Sequence, residues 1–238
     1  MEDCTVRGGV SAQQGAHVRG ERVEVTGTQF NGVSVGTGAS VELVGSRVHG
    51  NGRSGVSCNG GKGVHLLECE ISNNGWGPDE KGVGVECCSG ENRLVSCRVE
   101  GNRHGVGALG DSEANFKFRM EGCSVSSNRA FGILVRCRKK DAVVEILKNE
   151  CKSNTAVGIL VAEAFAGRGV IIEGNKCELN GGKGILVEML LGKRDDTLFL
   201  KNNSDIDNDQ LGEAEMFEIA SEMGGTQLAV LTHPLSHM

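Results

Sequence analysis

The sequence predicts an all-β solenoid in which short parallel strands stack coil upon coil, and three observations carry that prediction. A four-residue motif (glycine, aliphatic, any residue, small or aliphatic) recurs at nearly constant spacing. A column of asparagines runs in step with it. Between them, apolar and polar residues alternate with period two over only three to five positions, too short for one unit to bury its own core.

The motif reads Gly32-Val33-Ser34-Val35, Gly55-Val56-Ser57-Cys58, Gly82-Val83-Gly84-Val85, Gly105-Val106-Gly107-Ala108, Gly132-Ile133-Leu134-Val135, Gly158-Ile159-Leu160-Val161 and Gly184-Ile185-Leu186-Val187, its glycines 23, 27, 23, 27, 26 and 26 residues apart. Gly9-Val10 fits an earlier coil and Gly212 a degraded later one. These glycines are expected to let the chain bend tightly into each strand.

The asparagine column comprises Asn51, Asn74, Asn102, Asn128, Asn154 and Asn180, with Asn208 continuing it; the Asn74 coil carries an insertion, residues 75–81. Asparagine tolerates left-handed backbone at a sharp turn, and stacked amides can bond from coil to coil, so the column is expected to be a structural ladder. Five residues ahead of each member stands Ser46, Cys69, Cys97, Cys123, Asn149, Asn175 or Asn203, a second column in register with the first.

Stretches such as Val41-Glu42-Leu43, Phe116-Lys117-Phe118 and Val143-Val144-Glu145-Ile146 supply strands that pair only with equivalents in neighbouring coils, at about 4.8 Å per coil. The density of glycine and asparagine rules out helical repeats of similar length. The coils are expected over residues 1–211, with 212–238 a cap or tail. Within it, residues 213–223 place Met216, Ile219, Ala220 and Met223 on one helical face, suited to cover the last coil or to meet a partner.

Across about residues 4–210 the repeat resembles the right-handed parallel β-helix, pectate-lyase-like superfamily. The resemblance implies a single-stranded right-handed parallel β-helix of about eight to nine coils with a C-terminal capping segment. It implies no single function, because that fold serves lyases, hydrolases, epimerases, adhesins and non-catalytic modules. The repeat is also similar to intracellular β-helix regions of F-box substrate receptors and of the Shc SH2-domain-binding protein, which implies partner recruitment.

Composition narrows the setting. Six more acidic than basic residues argue against general polyanion binding, so no nucleic acid is expected. No apolar stretch reaches about 18 residues, so no membrane partner is expected. The opening Met1-Glu2-Asp3-Cys4 lacks an export signal, which with ten cysteines predicts reduced thiols in the cytoplasm or nucleus. Cys69, Cys97 and Cys123 share one column and Cys151 and Cys177 another, as stacked core thiols. No Cys-x-x-Cys pair is present, and no metal or other cofactor is expected.

The charged motifs of pectinolytic hydrolases and alginate epimerases are missing apart from Asp195-Asp196, and Asp205, Asp207 and Asp209 read as a solvated edge, so no catalytic residue is expected. His104, beside Arg103, is the one histidine to test as a general acid or base. The outward position of the glycine-led strand reads Ser34, Ser57, Gly84, Gly107, Leu134, Leu160, Leu186. Three stacked outward leucines mark a binding stripe or a covered surface. Loops after this strand place Arg136, Arg138, Lys139, Lys140, Arg168, Lys193 and Arg194 on one side, a solvated rim or a site for an acidic partner. The expected function is a non-catalytic intracellular module binding a protein partner. The competing expectation is a carbohydrate-active or glycan-binding protein for an acidic polysaccharide, with Arg138, Lys140, Lys193, Asp195 and Asp196 converging. An exported adhesion stalk is the third.

Overall fold

The structure, a computed structural model, describes residues 1–77, 82–110, 116–138, 141–165, 170–187, 190–191, 197–208 and 227–231, the backbone alone for 163–165, 190–191, 197–199 and 227–231. Each coil lays down three short strands, one on each of three faces, and every described pairing is parallel and joins successive coils. The first face runs from Thr5–Arg7 to Ser204–Ile206, the second from Val10–Ala12 to Ile185–Val187, and the third from His17–Glu21 to Gln227–Leu231. The chain is a right-handed parallel β-solenoid. Gln227–Leu231, inside the segment expected as cap or tail, pairs with Thr197–Lys201 and extends the third face. The helix expected over 213–223 lies outside the described residues.

Period-two alternation fills the interior. On the second face Val33 and Val35, Val56 and Cys58, Val106 and Ala108, Ile133 and Val135, and Ile159 and Val161 all turn inward and are buried. Val25, Val48, Ile71, Val99 and Val125 do so on the first, and Leu43, Leu66, Leu94, Met120 and Ile146 on the third. One continuous core results, because each rung's apolar residues cover the next.

Both predicted columns are hydrogen-bonded ladders. Asn102 donates its backbone N–H and its Nδ2 to Asn128 Oδ1 at 3.1 and 3.3 Å, and Asn128 repeats the pattern to Asn154 at 3.1 and 2.9 Å. The series continues through Asn180 to Asn208. The second column bonds Asn149 to Asn175 and Asn175 to Asn203 in the same way, with thiols in the earlier coils.

The left-handed backbone does not fall on the ladder asparagines, as the sequence reading expected. It falls one residue earlier at both corners: Gly50, Asn73, Gly101, Ser127, Ser153 and Leu179 precede the first ladder, and Gly45, Glu68, Ser96, Gly122, Lys148 and Gly174 the second. That residue makes the corner, and the next aims its amide down the stack.

The glycine column also has a different cause from the one expected. Gly32, Gly55, Gly105, Gly132, Gly158 and Gly184 have no positive φ. A Cβ on Gly132 would sit 2.5 Å from Gly158 O and 2.8 Å from Asn154 Nδ2, and one on Gly55 2.7 Å from both Gly84 O and Asn74 Nδ2. Glycine here leaves room for the next rung's carbonyl and ladder amide. In the inserted coil the matching glycine is Gly84, not Gly82: Val85 pairs with Val56 and Val106, and Glu86 with Ser57. Gly82-Val83 and Gly84-Val85 are overlapping copies of one motif, and the insertion is two residues longer than the spacing shows.

The first face's inward column reads Val25, Val48, Ile71, Val99, Val125, Cys151, Cys177 and ends in Asp205, which pairs with Cys177. Asp205 therefore faces the interior rather than forming a solvated edge. Asn208 donates to its Oδ1, while Oδ2 is buried without a partner. Burial raises its pKa, opposed by the hydrogen bonds from Asn208 and the Gly184 backbone. A raised carboxyl adds stability in full below its unfolded value and loses it as pH rises through the folded one. Asp205→Asn is expected to raise the melting temperature at neutral pH by about 2–4 °C, from about 1 kcal/mol for a half-exposed, partly screened group. The gain should vanish in mild acid; melting curves at both pH values check this.

Candidate functional site at one turn edge

The turn from the first face to the second begins at each ladder asparagine, or at Thr28 in the coil before Asn51, and ends at the column glycine. Its tip carries Phe30, Arg53 and Trp76 in three successive coils: the Arg53 N–H bonds to Phe30 O at 3.1 Å, and Gly75 and Gly77 bond to Asn51 O and Gly52 O. Phe30 is 64% exposed and Trp76 55%. The Arg53 guanidinium lies over the Phe30 ring, 5.7 Å from its centroid, and the Trp76 tip belongs to the next coil. In the next two coils His104 stacks on Phe131 with centroids 5.5 Å apart, and Arg129 crosses back to donate to Gly75 O at 3.0 Å.

Its position gives His104 a packing role. Its Nδ1 is buried without a hydrogen-bond partner, and burial, then the neighbouring Arg103, lowers its pKa, so the ring stays neutral. The described residues of these turns, from Thr28 to Gly184, include Arg53, Arg103, Arg129 and Lys183 and no carboxylate.

Other predicted residues fall elsewhere. Leu134, Leu160 and Leu186 are Cα partners on the second face, but Leu160 is only 4% exposed and the other two half-buried, so they make no open stripe. Register places Glu86, not Gly84, above Gly107 in that column, and Ser57 donates to Glu86 Oε2 at 3.1 Å. Arg136 is half-buried and Arg138 exposed. Lys139, Lys140, Arg168, Lys193, Arg194, Asp195 and Asp196 lie outside the described residues. The ladder members Asn51, Asn74, Asn102, Asn128, Asn154 and Asn180 are nearly inaccessible, consistent with a structural role.

A second surface feature is a groove of 310 Å³ on the third face, lined by Glu42, Val44, His65, Leu67, Arg93 and Val95 with Leu66 beneath. Glu42, His65 and Arg93 occupy one outward column on successive rungs. Arg19 pairs with Glu42 and Arg119 with Glu121 and Glu145, which leaves Arg93 the one arginine of this face without an ion pair among the described residues. The sequence reading missed both features. Arg53 and Trp76 stand two positions after the column asparagines Asn51 and Asn74, but Phe30 follows Thr28, so the column alone does not bring the three together.

The thiol column is core material. Cys69 and Cys123 are pushed above the ordinary thiol range, first by the hydrogen bond each shares with Cys97 and then by burial, which keeps both protonated.

The family model described as "Right handed beta helix region" matches residues 1–142 and 81–214, most of the chain. The chain belongs to the right-handed β-helix family. Neither a curated protein nor a solved structure matches it.

Proposed function

We propose that this β-helix is a non-catalytic recruitment module that holds a protein partner along the turn edge of Phe30, Arg53 and Trp76. One observation carries the reading. In a chain with seven Phe, one Trp and no Tyr, the single Trp and one Phe stand exposed at equivalent tips on either side of an arginine. Trp, Arg and other aromatic side chains are the residues that anchor protein interfaces, and solvating them without a partner is unfavourable. The stacked core thiols support a reducing, intracellular setting.

The third-face groove favours a second reading, an acidic-glycan site, because Glu42, His65 and Arg93 align a carboxylate, an imidazole and a cation beside apolar Leu67. One comparison separates the two. The Phe30→Ala/Trp76→Ala variant should melt like the parent, since exposed side chains change stability by only about 0.5 kcal/mol. It should also lose the partner protein that the parent retains from an extract of its source cells. Unchanged capture, or products released from polygalacturonate by the parent chain, would contradict the proposal.

A further inference from the structure

Two outward columns run side by side along the third face. One reads Arg19, Glu42, His65, Arg93, Arg119 and the other Glu21, Val44, Leu67, Val95, Glu121, rung for rung. At both ends the charges are already engaged: Arg19 with Glu42, Arg22 with Glu21, and Arg119 with Glu121. Between those ends Val44, Leu67 and Val95 form an apolar strip on three successive rungs, and Leu67 is 41% exposed. Beside the strip stands Arg93, exposed and with no hydrogen bond or ion pair among the described residues; Glu121, the carboxylate it attracts, is held by Arg119. His65, the neighbour of Arg93 in its column, is exposed too. The 310 Å³ groove therefore joins an apolar floor to a cation with no carboxylate bonded to it.

We propose that this groove binds a small amphipathic carboxylate, its carboxylate on Arg93 and its hydrocarbon body along Val95, Leu67 and Val44. The guanidinium offers paired N–H donors that fit a carboxylate, and His65 offers a ring N–H one rung away. Glu42, two rungs from Arg93 in the same column, repels a second negative charge, so the ligand carries one carboxylate rather than a row of them. Two rungs span about 10 Å, the length of a medium-chain fatty acid. The volume lies at the small end of ligand sites, which begin at about 300 Å³, and suits a small molecule. Val44, Leu66, Leu67 and Val95 give the hydroxyls of a uronate no partners, which favours hydrocarbon over sugar. The site lies on a different face from Phe30 and Trp76 and stands or falls independently of the recruiting edge.

Titration of the full chain with octanoate, followed by NMR of the methyl groups, tests the proposal. Octanoate should shift the methyls of Val44, Leu67 and Val95 saturably and leave the indole of Trp76, the only tryptophan, in place. Octylammonium, the same chain with the opposite charge, should bind about tenfold more weakly or not at all; this comparison needs no variant. Arg93→Ala should loosen octanoate by about tenfold or more, the loss expected when a hydrogen bond to a charged group is removed, at the parent melting temperature because the side chain is exposed. Leu67→Asp should abolish binding, and Phe30→Ala/Trp76→Ala should leave it unchanged. The proposal is overturned by an absence of saturable shifts, by equal binding of octylammonium, by equal shifts at Trp76, or by unaltered affinity in Arg93→Ala. Oligogalacturonate shifting these methyls in place of octanoate would also overturn it and return the groove to a glycan. Tighter binding of a peptide through a C-terminal leucine carboxylate would overturn it in favour of a protein partner.

Discussion

Asn128→Ala is expected to destabilise the protein by about 3–4 kcal/mol, more than any surface change in the chain. The Asn128 amide accepts from the Asn102 backbone and side chain and donates to Val99 O and Asn154 Oδ1, all inside the stack. Removing it strands the Asn102 N–H and the Val99 carbonyl without water, and each buried orphan costs about 1–3 kcal/mol. Asn128→Asp should fare no better: aspartate keeps the acceptor, loses both donors and adds a buried charge. Asn208→Ala, at the end of the ladder and 8% exposed, should cost less because water can reach the freed groups. Denaturant titration of the three variants reads the difference.

The second large effect belongs to the glycine column and has an internal control two residues away. A Cβ on Gly105 would lie 2.3 Å from Gly132 O, 2.6 Å from Val125 Cγ1 and 2.9 Å from Asn128 Nδ2. The carbonyl and the amide are both fixed by ladder bonds, so neither can yield, and Gly105→Ala is expected to cost about 3 kcal/mol or more. On Gly107 the nearest atom is Leu109 Cγ at 3.4 Å, an ordinary contact with a flexible side chain. Gly107→Ala should be neutral or stabilising by about 0.4–1 kcal/mol, through the lost freedom of the unfolded chain. Opposite signs within one strand, read as melting temperatures, would locate the demand for glycine in the space between rungs.

The repeat was legible because each column answers to one local requirement repeated in every coil. A glycine faces a carbonyl, an asparagine faces an asparagine, and both recur at the coil length. What the columns do was less legible. The corner's left-handed residue varies among Gly, Ser, Asn, Glu, Lys and Leu and leaves no sequence mark, so its role was assigned to its asparagine neighbour. The inserted coil was misaligned by two residues because Gly82 and Gly84 both head an acceptable motif, and only pairing with Val56 and Val106 decides between them. Asp205 read as surface because aspartate usually is; its inward position follows from register with Cys177. Phe30, Arg53 and Trp76 share no residue type and therefore no column in the sequence, and they meet only once the ladder sets their coils in line.

That alignment is the foundation of both the core and the edge, and amide hydrogen exchange tests it directly. The backbone N–H groups of Asn51, Asn74, Asn102, Asn128, Asn154 and Asn180 each donate to the next asparagine's Oδ1 inside the stack. All six are predicted to fall in the most slowly exchanging class, opening only with the solenoid as a whole, and those of Asn102 and Asn154 to accelerate in Asn128→Ala. Exchange of these six amides as fast as that of the exposed residues near Met1 would contradict the in-register stack.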